Sequence, residues 1–338
     1  MLLDVKHMSL SLKRAGKYSK ILDDISFYLE QGETLGIVGE SGCGKSMTAL
    51  SLMQLLPDKA RLEGEVDLQG QMISGSSKRK LEKIRGNQMS MIFQDPLTSL
   101  NPLQTVGVQV EESLILHTKK NKKERRKRVL ELLNAVGLPR AEELIDEYPH
   151  QLSGGMRQRI MIAIAMACEP QLLICDEPTT ALDVTVQAQI LELMNEIKRE
   201  TRMGIIMITH DMGVVAEVCD RVLVMYAGKI VEEAHATELF GNPKHPYTQG
   251  LLASIPKLGR RKEKLGSIPG TVPTPGSMPN GCRFADRCPY VMDICRTVTP
   301  QMIQVKENHQ TACWLYDEKG GNENATTRSH ELETTLYN

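Results

Sequence analysis

Residues 34 to 46 read Thr34-Leu35-Gly36-Ile37-Val38-Gly39-Glu40-Ser41-Gly42-Cys43-Gly44-Lys45-Ser46. Thr34 to Val38 is a short apolar run ending at Gly39, the pattern of a buried strand. A Gly-rich loop follows, and Met47 to Leu56 reads as a helix that Pro57 ends. Gly39 to Ser46 satisfies G-x-x-x-x-G-K-[ST] between a strand and a helix, the context that separates a phosphate loop from an ordinary Gly-rich turn. The glycines let the backbone curl so that successive N–H groups face one anion, and the helix adds the positive end of its dipole. The phosphate ligand would then touch Gly39, Ser41, Gly42, Cys43, Gly44, Lys45, Ser46 and Met47. Lys45 would neutralise β and γ oxygens, and Ser46 would hold magnesium.

Upstream, residues 1 to 32 alternate polar and apolar, as in Met8-Ser9-Leu10-Ser11-Leu12 and Ile25-Ser26-Phe27-Tyr28-Leu29, which predicts an antiparallel sheet. Downstream, Met89 to Phe93, Leu172 to Cys175, Ile205 to Ile208 and Val222 to Met225 read as buried strands. Mostly helical sequence separates them, as in a parallel sheet covered by helices, so the fold class is α/β. Leu172-Leu173-Ile174-Cys175-Asp176 is an apolar strand ending in a carboxylate, with Glu177 next. The strand's carboxyl end sits beside the first loop, where Asp176 can orient magnesium and Glu177 can polarise an attacking water. Ile205 to Ile208 ends in Thr209-His210-Asp211, which could bring His210 to a γ-phosphate; on spacing alone, packing or a surface position accounts for that histidine equally well.

Gln94 to Gln151 is charged and helix-forming, and eight of the ten residues from Lys119 to Arg128 are Lys or Arg. Glu124 and the spacing of Val129, Leu132, Leu133 and Val136 make this run the solvated start of an amphipathic helix, ahead of a nucleic-acid or lipid surface. From Leu258 the chain turns Gly- and Pro-rich and leads into Cys282, Cys288, Cys295 and Cys313, whereas Cys43, Cys168, Cys175 and Cys219 are dispersed. The spacing Cys-x5-Cys-x6-Cys-x17-Cys lacks the C-x2-C knuckle of common structural zinc sites, yet four thiols in one short region can converge on a metal or cluster. Iron–sulfur, zinc and inert reduced cysteines all stay open on spacing. The last residues, 317 to 338, are polar and predict disorder.

The chain has 338 residues, 41 % hydrophobic, 25 % charged and 4 % aromatic, with a net charge of -1. At about 150 residues per domain that predicts two units, and the composition excludes disorder throughout. A balance near neutrality names no anionic partner. The longest apolar run, Ile160 to Cys168, is nine residues, against roughly 20 needed to cross a bilayer. Met1 to Lys6 carries no secretory pattern, which places the chain on the cytosolic side.

Leu152-Ser153-Gly154-Gly155-Met156-Arg157-Gln158-Arg159 resembles the signature motif of ATP-binding cassette ATPases. Gln94 after Met91-Ile92-Phe93 resembles their Q-loop, Asp176-Glu177-Pro178 the second Walker motif, Ala181-Leu182-Asp183 the D-loop, and His210 the switch histidine. The resemblance implies a P-loop NTPase core with an antiparallel β subdomain and an α-helical subdomain at about 95–158. It implies Glu177, His210 and Gln94 as catalytic residues, and Ser46, Gln94 and Asp176 around Mg2+. It also implies a nucleotide contact from Ser153, Gly154 and Gly155 of a second cassette, and an adenine-stacking aromatic in the first sheet, for which Tyr18 is the candidate.

Asn242-Pro243-Lys244-His245-Pro246-Tyr247-Thr248, Ile268-Pro269-Gly270 and the four clustered cysteines resemble the C-terminal extension of ATPase subunits from bacterial and archaeal peptide and nickel importers. That implies a cassette at 1–257 and an extension at 258–316 whose Cys282, Cys288, Cys295 and Cys313 hold a 4Fe-4S cluster, with zinc as the alternative. It further implies a related second ATPase, two integral membrane permeases and a solute-binding protein as partners, at the cytoplasmic face of the cell membrane. The expected function is ATP-driven uptake of di- or oligopeptides. Nickel or metal-chelate import is the first rival. A nucleic-acid-associated ATPase is the second, weakened by the lack of paired cassettes or a long coiled-coil insertion, so no nucleic-acid partner is expected.

Overall fold

A computed structural model of the chain describes residues 1–14, 16–179, 184–255 and 268–317. The expected D-loop, most of the join near residue 258 and the tail beyond 317 lie outside the described residues.

Strands β1 (Leu3–Arg14) and β2 (Lys17–Leu29) form a long antiparallel hairpin. On β2 every second residue from Ile25 to Leu29 points inward, the signature of a sheet with one wet face. β3 (Thr34–Val38) is buried throughout and runs through the phosphate loop into α1 (Lys45–Leu52). This helix stops four residues before the expected Leu56, and Pro57 is not the cause. Gln54 takes a left-handed φ of 53°. The Leu55 N–H then returns to the Leu50 carbonyl and that of Gln54 to Ser51, a Schellman closure.

β4 (Arg61–Leu68) and β5 (Gln71–Met72) complete a four-stranded sheet in the order β2-β1-β4-β5. After α2 (Lys78–Ile84), β6 (Met89–Ile92) enters the main sheet. The helical region follows as α3 (Pro96–Ser99), α4 (Val106–His117), α5 (Lys122–Ala135), α6 (Ala141–Leu144) and α7 (Gly154–Met166). The basic run opens α5 as the amphipathic reading predicts. Asn121 accepts from the backbone of Lys123 and Glu124 while the Glu124 carboxylate accepts from the Asn121 N–H, a complete capping box. Val129, Leu132 and Leu133 are buried, and each contributes about 1.5–3 kcal/mol by leaving water.

The chain then alternates β7 (Leu172–Asp176), α8 (Val184–Thr201), β8 (Gly204–Ile208), α9 (Met212–Val218) and β9 (Arg221–Tyr226). β10 (Lys229–His235), α10 (Ala236–Gly241), α11 (Pro246–Ala253) and α12 (Asp293–Thr297) come next, before β11 (Ile303–Lys306) and β12 (His309–Thr311). The main sheet has eight strands in the order β11-β12-β10-β9-β3-β8-β7-β6. β9, β3, β8, β7 and β6 are parallel, as expected of buried apolar runs. The other edge is antiparallel, and its last two strands come from beyond residue 300, so that Thr311 pairs with Glu232. The cysteine-bearing region is thereby stitched into the same sheet as the phosphate loop. One apolar core lies between the two sheets and around α1, and a second fills the opposite face under the helical region.

Candidate functional site

The carboxyl ends of the parallel strands carry the site. At Gly39 the backbone takes φ +150°, and a Cβ there would sit 2.2 Å from the Met225 carbonyl oxygen on β9. Only glycine lets the loop turn this close to the neighbouring strand. Lys45 is buried and folds back on its own loop, its Nζ donating to the carbonyls of Gly39 at 2.7 Å and Glu40 at 3.1 Å. Those carbonyls hold the ammonium at the centre of the curl, where an incoming anion would meet it. α1 has no acidic residue of its own in its first turn, so none of its own side chains neutralises the positive end of its dipole.

Ser46 donates from Oγ to Asp176 Oδ1 at 3.1 Å. Asp176 is the last residue of β7 and is buried, which raises its carboxyl above the usual range; the Ser46 hydroxyl pulls the other way, and the charge of Glu177 pushes it further up. A hydroxyl and a carboxylate oxygen this close are hard donors of the kind Mg2+ takes alongside phosphate oxygens. The donor set fits the magnesium that the motif implies.

Glu177 carries a left-handed φ of 49° while its N–H still donates to the Ile208 carbonyl of β8. That conformation is costly for a residue with a side chain, and such strain concentrates at functional sites. It swings the carboxylate out of the strand and into reach of two neighbours. Gln94 Nε2, just past β6, donates to Glu177 Oε2 at 3.1 Å, and His210 Nδ1, just past β8, lies 3.3 Å from the same oxygen. Three residues from the ends of three adjacent strands therefore meet at one carboxylate. For His210, the position that spacing left open is beside the Glu177 carboxylate.

Ser153 caps α7, accepting from the Met156 N–H at 3.3 Å, and Gly154 and Gly155 are the first two residues of that helix. Ser153 and Gly154 are exposed. Tyr18 lies near the start of β2, four residues before Leu22, whose side chain packs at Gly44. The Arg61 guanidinium stacks on its ring at 3.8 Å, so one face of the proposed adenine platform is already covered.

Of the dispersed cysteines, Cys43, Cys175 and Cys219 are buried and Cys168 is half-buried; burial raises all four thiols. Cys282, Cys288, Cys295 and Cys313 do converge, lining one cavity of about 10 Å³ with His245, Phe284 and Trp314. Burial pushes the thiols of Cys282 and Cys288 up to about 11 and that of Cys313 higher still. The iron–sulfur and zinc expectations go no further than this. Among the described residues, no group of three or more His, Cys, Asp or Glu is arranged to hold a metal ion. The donors suit a soft metal, but the cavity has room for about one water, so a four-iron cube would require its walls to part.

The sequence reading assigned no role to Glu40, Tyr247 or Arg287. The Glu40 N–H donates to Tyr247 Oη at 2.7 Å, and the Glu40 carboxylate accepts two bonds from Arg287. Tyr247 and Arg287 lie 207 and 247 positions further along the chain, a distance over which no motif spacing carries information.

The chain matches the family described as ABC transporter over residues 22–180 and the oligopeptide/dipeptide transporter C-terminal region over residues 231–295. It is 50 % identical to the oligopeptide transport ATP-binding protein AppD of Bacillus subtilis, over 94 % of this chain and 98 % of that one. With the dipeptide transport ATP-binding protein DppD of Escherichia coli it shares 46 % identity, over 92 % and 96 %. Among solved structures, the dimeric cassette MJ0796 bound to ADP and Pi superposes with a TM-score of 0.64 at 30 % identity, over 70 % of this chain and 99 % of that one.

Proposed function

This chain belongs to the ATP-binding cassette transporter ATPases, and on that premise we propose that it is the ATP-hydrolysing subunit of an importer for di- or oligopeptides. The observation that carries the reading is the meeting of Gln94, Glu177 and His210 beside the Ser46–Asp176 pair, at the strand ends that flank the phosphate loop. ATP takes the loop amides, and Lys45 exchanges the carbonyls of Gly39 and Glu40 for phosphate oxygens. Ser46 and Asp176 would hold Mg2+, which supplies charge neutralisation at the phosphates. Glu177 polarises a water whose oxygen attacks the γ-phosphorus as the bond to the ADP oxygen breaks, and the water's proton passes to the carboxylate. Gln94 and His210 hold that carboxylate in place.

The Ser153-Gly154-Gly155 start of α7, exposed at Ser153 and Gly154, would close over the nucleotide of a second cassette, a related chain in this reading. Two membrane permeases and a solute-binding protein complete the importer, with this chain peripheral on the cytoplasmic face. Among the described residues no helix is long and apolar enough to cross a membrane. Peptide as cargo rests on the named activities of the relatives and on the matched C-terminal region. The test is the complex reconstituted in vesicles with its solute-binding protein: dipeptides or oligopeptides should stimulate ATP hydrolysis. Stimulation by nickel chelates alone, or by DNA or RNA, would overturn the assignment.

The convergence of four thiols supports a further part of the reading, a soft-metal site at Cys282, Cys288, Cys295 and Cys313, with a 4Fe-4S cluster first and zinc second. Anaerobic purification followed by metal and sulfide analysis should find about four iron and four sulfide per chain. One colourless zinc per chain would leave only the alternative, and neither metal would end the proposal.

A further inference from the structure

A carboxylate in a loop built to receive phosphates needs a physical explanation. Glu40 is the one acidic residue between Gly39 and Ser46, and unpaired it would repel the ligand's negative charge. The structure pairs it with Arg287, whose Nη1 lies 2.5 Å from Glu40 Oε2 and whose Nη2 lies 2.9 Å from Oε1. Arg287 is itself buried, and its Nε and Nη2 also donate to the carbonyls of Pro269 at 2.8 Å and Ile268 at 3.1 Å. A planar fork with its donors engaged on both sides has one orientation. The backbone of Glu40 is held as well, through its N–H to Tyr247 Oη at 2.7 Å. Tyr247 is fully buried, with its ring 4.7 Å from that of Tyr226 and 5.4 Å from that of Phe284. Neither holder can follow the loop without unpacking.

We propose that Tyr247 and Arg287 are positioning residues for nucleotide binding: they brace Glu40 from behind and neutralise its charge, so that the affinity of the phosphate loop depends on the C-terminal region. The inference rests on the nucleotide-binding reading above. It separates from a purely structural link by its charge dependence. Removing the guanidinium leaves a half-buried negative charge beside the phosphates, and removing that charge in turn repairs the harm even though the bridge stays broken.

The experiment measures the Kd of a fluorescent ATP analogue and the thermal midpoint on the whole chain, for wild type, Arg287→Met, Arg287→Met with Glu40→Gln, and Tyr247→Phe. Arg287→Met should weaken binding about tenfold. The double variant should return to within about threefold of wild type while its thermal midpoint stays lowered, a split that a structural role alone does not produce. Tyr247→Phe, which keeps the packing and leaves the Glu40 N–H without its acceptor, should weaken binding about threefold, and it carries the test should Arg287→Met fail to fold. Unchanged affinity in folded Arg287→Met or in Tyr247→Phe would overturn the brace, as would a double variant as weak as the single one. A wild-type chain that binds no ATP analogue would instead refute the nucleotide reading itself.

Discussion

Glu177→Gln isolates the carboxylate charge from everything else the residue does. The amide is nearly isosteric, keeps an oxygen that can accept from Gln94 Nε2, now 3.1 Å away, and leaves the left-handed backbone at 49° unchanged. What disappears is the group proposed to take a proton from water, a role worth about 10²–10⁴ in rate; a loss of about 10³-fold corresponds to about 4 kcal/mol. ATP binding should move the other way or not at all. Glu177 adds negative charge next to Asp176 and raises its carboxyl, so neutralising it eases the approach of phosphate. Single-turnover hydrolysis of γ-labelled ATP, paired with filter binding of the intact nucleotide, measures both quantities on one preparation. Turnover above about a tenth of wild type would refute the assignment, and so would affinity falling in step with the rate, which would make Glu177 a binding residue.

Lys45→Ala should abolish measurable ATP affinity in calorimetric titration, because it removes the buried cation and leaves the carbonyls of Gly39 and Glu40 without their donor; a Kd within tenfold of wild type would contradict the loop's role. Gly228→Ala, at φ +83° with a Cβ 2.1 Å from the Ile21 carbonyl oxygen, should lower stability in urea by about 1–3 kcal/mol, and a change under about 0.5 kcal/mol would show that the turn gives way. Leu133→Ala on the buried face of α5 should cost about 2–5 kcal/mol. On the same helix Lys127→Ala, at a side chain 80 % exposed, should stay within about 0.5 kcal/mol. A large effect of Lys127→Ala on stability would mean that the basic run is not a solvated face.

The phosphate loop, the parallel strands and the placement of Asp176 and Glu177 were legible because each depends on a local pattern, whereas Gln94 and the role of His210 came from the family resemblance. A short apolar run is a buried strand, and a parallel sheet puts the residues at the carboxyl end of each such strand on one rim. The end of α1 was less legible. Pro57 is the conspicuous breaker in the sequence, whereas the actual stop is a left-handed Gln54, whose conformation its side chain does not announce.

The four clustered cysteines show the same division. Their clustering in one short region allowed convergence, and they do line one cavity. Whether that cavity is shaped for a metal depends on the packing of Phe284, Trp314 and His245 around it, which spacing does not encode. The sequence by itself determined the class of fold and the phosphate loop and offered Asp176 and Glu177 as candidates, since contacts within a strand–loop–helix unit are short in contour and repeat with the period of the backbone. Only the tertiary structure decided that residues beyond 300 close the main sheet and that Arg287 and Tyr247 hold Glu40. Partners separated by more than 200 positions meet only because the whole sheet orders between them.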